Sequence, residues 1–585
     1  MSMLNEAGGG GSHTEIEEEE YYVKAGYIAV LALLLVYTMM GSFIEFTKMA
    51  YIHETGVAII LGMIISLFAK FFGYTQINDV LEFSESLFFF VCLPPIVFAA
   101  GYNMKRKKFF QHFNYIALFG ILGTFCCFTI FSFLTGMLFY FQPMQKYNPE
   151  LGTNETFTLT LREILLLCSL MCSSDVVAAV SLIDFQKEPK LFSMVFGEGI
   201  TNDAVSIILF NTVFKYTGST EKFTTQTVFK VFLEFSKLAL SSVGCGMVAS
   251  FACALCLKNM RFLTHSPVHE TLFVFCFGYL GYMFSELFEL SGIITLLTTG
   301  VLMAHYAWYN LSPQSKQTTS LAFGAIGFGA EAFVFAYLGL TFFSYTSYEW
   351  SWQFFIAEFF VIIIGRFLGI VGLLYVISFL LNHTRELSFK ETMFLYCGGM
   401  IRGAIAFGLV LRLDHSLPNR EVIITTSLCL VILTTLLFGS LMPILGKVLL
   451  KKEGEPSVDH GHAKKKKHND QEMVEMNKSG SQDKSGDSSS FHEMMVHPNF
   501  EEADATIVQQ KKKQNSCVKY FKQFDETILK PILIYKYTKE RKEKQFEFFN
   551  MMVNKGAKLE NKFASRDPQS NEEKKNMEEK LILDD

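Results

Sequence analysis

Thirteen long apolar runs, separated by short polar loops, fill the chain from about Tyr22 to Leu450, near 24–44, 55–72, 85–102, 114–141, 162–183, 191–215, 229–256, 268–286, 291–307, 320–344, 353–381, 391–411 and 422–447. No other feature restricts the fold as much. Inside a bilayer each backbone N–H and C=O must be satisfied within the segment, so runs of about 20 apolar residues are read as spanning helices. The composition agrees: of 585 residues 50% are hydrophobic, and Phe alone contributes 61. The expected fold is an all-α polytopic membrane protein with about 13 transmembrane helices. It divides into an acidic N-terminal segment (1–22), a transmembrane domain (23–450) and a polar, partly disordered tail (451–585).

Loop charge orients the spans. Lys105 to Lys108, Lys187 and Lys190, Lys258 and Arg261, Lys316, and Arg385 with Lys390 follow odd-numbered runs. They share one side with the tail, and that side is expected to be the cytoplasm. Arg412 and Arg420 on the other side weaken the bias. The sequon Asn154-Glu155-Thr156 falls in an outside loop, as glycosylation at Asn154 requires, whereas Asn382-His383-Thr384 falls inside. Of 12 cysteines all but Cys517 lie in the runs, which argues against a disulfide framework.

The sixth run carries Gly197-Glu198-Gly199-Ile200-Thr201-Asn202-Asp203 at its centre. An ionisable residue at bilayer depth costs roughly 2.5–3.5 kcal/mol on insertion scales, and such residues line ion paths or pair with opposite charge. The plainer alternative is polar glue between helices, but Glu198, Thr201, Asn202 and Ser206 crowd beside Asp203. The fifth run contributes Cys172-Ser173-Ser174-Asp175, an oxygen-rich set suited to a hard monovalent cation. The twelfth contains Gly398-Gly399-Met400-Ile401-Arg402-Gly403, where three glycines make an interruption cheap. If the seventh run links two six-helix halves, the fifth and twelfth occupy matching places in inverted repeats. Broken helices so placed point to a transporter's ion site. Leu93-Pro94-Pro95 breaks the third run, either as a simple kink or as part of the site.

Buried charges need partners. Glu198 is expected to pair with Arg366, and Glu331 with Arg402, as structural bridges. The balance leaves at least one acid free to titrate; the hypothesis is that Asp203 binds the ion or the proton, with Asp175, Ser173, Ser174 and Asn202 adding oxygens.

Taken together these words resemble the eukaryotic sodium/proton exchangers of the monovalent cation/proton antiporter superfamily. The resemblance rests on Leu93-Pro94-Pro95-Ile96, Ser174-Asp175, Phe196-Gly197-Glu198 with Asn202-Asp203-Ala204-Val205, Glu331, Gly365-Arg366 and Arg402-Gly403-Ala404-Ile405-Ala406-Phe407. His53-Glu54-Thr55-Gly56, Ala304-His305-Tyr306, Asn310-Leu311-Ser312, Phe524-Asp525 and Leu529-Lys530-Pro531 point to its organellar branch. The resemblance implies a homodimer, with a dimerisation domain and a mobile core built on two crossing, partly unwound helices. It implies that Asp203 carries cation and proton in turn, and that Asn202 goes with electroneutral exchange of Na⁺ or K⁺ for H⁺. It favours an endosomal or Golgi membrane over the plasma membrane. Val176 stands where relatives often have Pro, and the Cys172-Ser173-Ser174 lead-in is a second departure.

In the tail, Lys464 to Lys467 and Lys511 to Lys513 read either as parts of a solvated linker or as clusters suited to anionic lipid at the membrane surface. Residues Asn477 to Ser490 are Ser/Gly/Asp-rich, with Ser488 to Ser490 as phosphorylation candidates. Phe521 to Asn550 mixes aromatic and basic residues and suits a helix against the membrane or the core. No nucleophile–base set, metal cluster, cofactor motif or nucleic-acid surface is evident. The rivals are a monovalent cation channel, which would need a repeated filter, and a membrane receptor or scaffold acting through its tail.

Overall fold

The computed structural model describes residues 10–47, 53–71, 85–149, 152–217, 225–380, 388–449 and 521–535, with short gaps at 105, 181, 184–187 and 522. Each apolar run is helical: α1 Gly10–Thr47, α2 Glu54–Phe71, α3 Glu85–Tyr102, α4 Phe113–Phe141, the pair α5 Leu161–Leu170 and α6 Val177–Val180, α7 Pro189–Thr217, α8 Thr225–Asn259, α9 Pro267–Leu287, α10 Gly292–His305, α11 Pro313–Thr341, α12 over 352–380, the pair α13 Phe389–Gly398 and α14 Ala404–Leu411, and α15 Arg420–Leu449. The helix α1 begins at Gly10, so residues 10–22 of the acidic segment continue the first helix instead of preceding it. Lys464 to Lys467, the 477–490 stretch with Ser488 to Ser490, Lys511 to Lys513 and the Asn382 sequon lie outside the described residues.

The helices sort into two bundles. The first packs α1, α2, α3, α8, α9, α10 and α11 together; the second packs α4 to α7 with α12 to α15. Glycines set the closest approaches. A Cβ on Gly62 or Gly339 would lie within 3.0 Å of the facing backbone, so α2 and α11 touch main chain to main chain. Small residues make such contacts possible where no hydrophobic drive separates protein from lipid.

Three helices contain a π-helical turn: Phe88–Cys92 in α3, Leu118–Gly123 in α4 and Leu368–Gly372 in α12. In α3 the turn ends just before Leu93-Pro94-Pro95. The prolines therefore fall in the first turn of a fresh α-helical stretch, where missing N–H groups cost least.

An antiparallel hairpin, β1 Met144–Asn148 and β2 Thr153–Phe157, joins α4 to α5, a small exception to the all-α expectation. Asn154 is exposed on β2. The hairpin continues into an antiparallel bridge from Tyr147 to Trp350.

The tail returns to the helices at residues 521–535, π-helical over Asp525–Leu529 and α-helical over Lys530–Leu533. It docks on the ends of α8 and α10 in the first bundle. Lys258 donates to the carbonyls of Pro531 (2.9 Å) and Ile532 (2.6 Å). Asn310 Nδ2 donates to Leu533 O and to Ala254 O, both at 2.9 Å, and Asn310 Oδ1 accepts from the Tyr535 N–H at 2.8 Å. The Asp525 carboxylate accepts from the Tyr306 hydroxyl (2.7 Å) and pairs with Lys530 (2.7 Å) and His305 (3.5 Å). Burial works against this carboxylate, but the bonds from His305, Lys530 and Tyr306 outweigh it and hold the group well below the usual range. Four of the words read as organellar, around His305, Asn310, Asp525 and Lys530, thus meet in one contact.

Candidate ion site at the crossing of two broken helices

The two interrupted helices cross in the second bundle. Helix α5 stops at Leu170 behind a capping box of Thr160 and Glu163, and Met171 to Val176 runs non-helical into α6. Helix α13 stops at Gly398, and Gly399 to Gly403 leads into α14. The strands of the crossing are tied by a hydrogen bond from the Asp175 N–H to the Ile401 carbonyl at 2.8 Å. Gly403 is required by contact: a Cβ there would sit 2.6 Å from the Asp175 Cβ.

Below the crossing lies a cavity of about 120 Å³. That is room for a few waters, each taking about 30 Å³ in the liquid, or for a partly hydrated cation. Asp203, Asp175, Ser173, Ser174 and Glu331 line it; among the described residues no Lys or Arg does. Ser173 Oγ donates to Asp203 Oδ1 at 2.6 Å, and the Ser174 N–H is also directed at that carboxylate. The fifth and sixth runs thereby supply hydroxyl and carboxylate oxygens to one point. Apolar walls come from the first bundle: Leu93, Ile96 and Val97 of α3, Leu297 of α10 and Phe335 of α11. Both readings of the Leu-Pro-Pro word thus have a counterpart, since the interrupted helix also faces the cavity.

Asn202 stands apart from its neighbour Asp203. It does not line the cavity; its amide donates to Glu198 Oε1 (3.4 Å) and its oxygen accepts from Ser206 (3.4 Å). The turn of about 100° per residue swings the Asn202 side chain away from the cavity and toward Glu198 and Ser206, on its own helix. The expectation that Asn202 adds a ligand oxygen is corrected accordingly. Glu198 is paired with Arg366 at 2.6 Å, both fully buried, and Arg366 also reaches Ser174 Oγ at 3.4 Å.

The expected Glu331–Arg402 pair is not formed. Arg402 donates to the carbonyls of Ser173 (2.7 Å) and Cys172 (3.4 Å), while Thr435 caps the Arg402 carbonyl at 2.6 Å. The physical reason is the break itself. Past Leu170 the chain is no longer helical, so the Cys172 and Ser173 carbonyls have no helical N–H to bond. A buried guanidinium on the crossing strand satisfies them. Glu331, on α11 of the other bundle, is left facing the cavity.

The sequence reading also missed Gly199. A Cβ there would overlap the Val176 methyls, so the β-branched Val176 is accommodated because α7 presents a glycine opposite it. Gly197 and Gly120 play the same part against Ile116 and Thr201, at 2.6 Å each. The Gly-x-Gly spacing around Glu198 was the available signal.

The sequence profile described as "Sodium/hydrogen exchanger, transmembrane" matches residues 30–448. Sodium/hydrogen exchanger 4 of Arabidopsis thaliana is 32% identical over 529 residues, covering 86% of this chain and 93% of that protein. Human sodium/hydrogen exchanger 8 is 30% identical over 440 residues, covering 73% and 72%. Among solved structures, the sodium proton antiporter MjNhaP1 from Methanocaldococcus jannaschii at pH 8 superposes with a TM-score of 0.53 at 14% identity, covering 74% of this chain and all of that one, a likeness of fold. The chain is a member of the sodium/hydrogen exchanger family.

Proposed function

We propose that this multi-pass membrane protein exchanges Na⁺, or K⁺, for H⁺ by alternating access, with Asp203 as the shared carboxylate. The observation that carries the reading is the cavity: acids and hydroxyls converge there and, among the described residues, no basic side chain lines it. A bare carboxylate in a pocket walled by Leu, Ile and Val is costly. Asp203 therefore crosses in company, either with a proton or with a partly dehydrated cation that Ser173, Asp175 and Ser174 help to coordinate. Competition for one carboxylate couples the two fluxes, and one proton per monovalent cation leaves the step electroneutral.

Asp203, Asp175, Ser173 and Ser174 belong to the second bundle, whereas Leu93, Ile96, Val97, Leu297 and Phe335 on the facing wall belong to the first. Rocking of one bundle against the other would then open the same ligand set to each side in turn. Asn202, Glu198 and Arg366 position the broken stretch through Ser174 and do not touch the cation. The side bearing Lys258, Arg261 and Lys316 is read as cytoplasmic, with the N-terminus opposite. A homodimer in an endosomal or Golgi membrane fits the family.

The test is proton flux in liposomes holding the purified full chain, with a pH dye inside and Na⁺, K⁺ or Li⁺ added outside, at clamped and free voltage. Cations should dissipate the pH gradient regardless of voltage, and Asp203→Asn should abolish this while the protein still purifies as a folded species. Flux that follows voltage without a proton gradient, or exchange retained by Asp203→Asn, would sink the reading.

A further inference from the structure

The docked tail segment has two faces. One is held to α8 and α10 through Asp525, Lys530 and Leu533, all buried. The other exposes Phe521 (65%), Phe524 (48%), Ile528 (43%) and Ile532 (52%). These four recur every three to four residues, so they form one apolar stripe pointing away from the protein. A segment that buries Asp525 and Lys530 against its own protein and turns two Phe and two Ile outward, with Glu526 as its exposed charge among the described residues, departs from the pattern expected beside water.

The depth of the stripe follows from its anchor. Lys258 lies in the last turn of α8, whose apolar window runs Phe232–Asn259. Its ammonium bonds the backbone at Pro531 and Ile532, which holds the segment at the rim of a spanning helix and not out in solvent. Leu255 on that same rim and Phe262 in the following turn are exposed as well. The surrounding sequence is strongly basic: eleven Lys or Arg against four Asp or Glu between Lys511 and Lys544.

We propose that residues 521–535 form an interfacial lipid-binding element, with Phe521, Phe524, Ile528 and Ile532 seated in the cytoplasmic leaflet and the flanking basic residues selecting anionic lipid. An apolar stripe flanked by Lys and Arg is the pattern of helices that lie in the headgroup boundary. A second copy of the chain is the poorer occupant, because a two-fold contact through this stripe would bring like charges together. The element ties the tail to the lipid beside the first bundle, whereas the chain leaves the membrane from α15 in the second.

The test uses the full chain in nanodiscs, with a benzophenone amino acid replacing Ile528 in one sample and the inward-facing Leu533 in another. After irradiation, the Ile528 position should yield lipid adducts and the Leu533 position adducts within the chain. Replacing about a third of a zwitterionic lipid with an anionic one should raise the lipid adduct severalfold. Adducts from Ile528 to a second copy, no lipid adduct, or equal yield in both lipids would overturn the proposal. Because a bulky probe can disturb docking, deuterium exchange on the unmodified chain is the second measurement. Amides over 524–533 should exchange about tenfold or more slowly in anionic than in zwitterionic nanodiscs, a ratio set by apolar burial; equal rates would count against insertion. Neither readout involves transport, so the outcome is independent of the role given to Asp203.

Discussion

Removing Arg366 tests the deepest charge in the protein. Arg366 and Glu198 are about 1% and 0% exposed and meet at 2.6 Å. Taking away one member strands the other, which typically costs about 3–5 kcal/mol. The pair is not fully satisfied even when intact: Arg366 Nε and Nη1 and Glu198 Oε2 have no hydrogen-bond partner among the described residues. An ion pair so placed has little net advantage over neutral packing, because desolvation offsets the attraction. Arg366→Met alone should therefore lower stability by about 3–5 kcal/mol, and adding Glu198→Gln should return most of the loss. Unfolding of the purified chain in mixed micelles, titrated with SDS, gives the four corners of the cycle. Exchange separates the two roles. Since Arg366 also reaches Ser174, the double variant should be stable yet slow. A double variant no more stable than Arg366→Met would refute the pairing argument.

Other expectations concern the crossing and the tail. Ser173→Ala deletes the 2.6 Å bond to Asp203; bonds to charged groups are worth about 1.5–3 kcal/mol, so the apparent KM for Na⁺ should rise roughly tenfold to a hundredfold in liposome flux, and an unchanged KM would remove Ser173 from the ligand set. Gly199→Ala should impair folding or exchange through its clash with Val176, and Val176→Ala should rescue it; failure of that rescue in a yield and flux assay would discount the packing account. The docked Asp525 carboxyl sits below its undocked value, so its stabilisation is fully present above about pH 3.9 and is lost only as pH falls through the lower, docked value. Protection of the Ile534 and Tyr535 amides, corrected for intrinsic rate, should drop in Asp525→Asn at pH 7; unchanged protection in that variant would contradict the docking chemistry.

The spans were legible because apolar runs of this length have one outcome in lipid, and the two breaks because glycines and polar residues interrupted them. The partner of Arg402 was not. Charge counting sees ionised side chains, so it matched Arg402 with Glu331, but the winning acceptors were the backbone carbonyls of Cys172 and Ser173 in the non-helical stretch after α5. Those appear only once the helix is known to stop at Leu170. Asn202 was misplaced for a different reason. Composition put it beside Asp203, whereas rotation about the helix axis turned it toward Glu198. The hairpin β1–β2 was hidden by its brevity, and the tail contact by the 75 residues of sequence that part Leu449 from Asp525.

Glu331 has a consequence for directionality. Of the ionisable groups around the cavity, Asp203 and Asp175 sit in the second bundle, and Glu331 alone sits on the wall that belongs to the first. Gradients alone set the direction of net flux in any exchanger, and a carrier whose ligand set met the same surroundings in both orientations would bind equally from both compartments. A fixed acid on the opposite wall breaks that equivalence, since the moving set approaches it in one orientation and leaves it in the other. In the rocking motion proposed above, any difference between inward and outward half-saturation would have one source in that side chain.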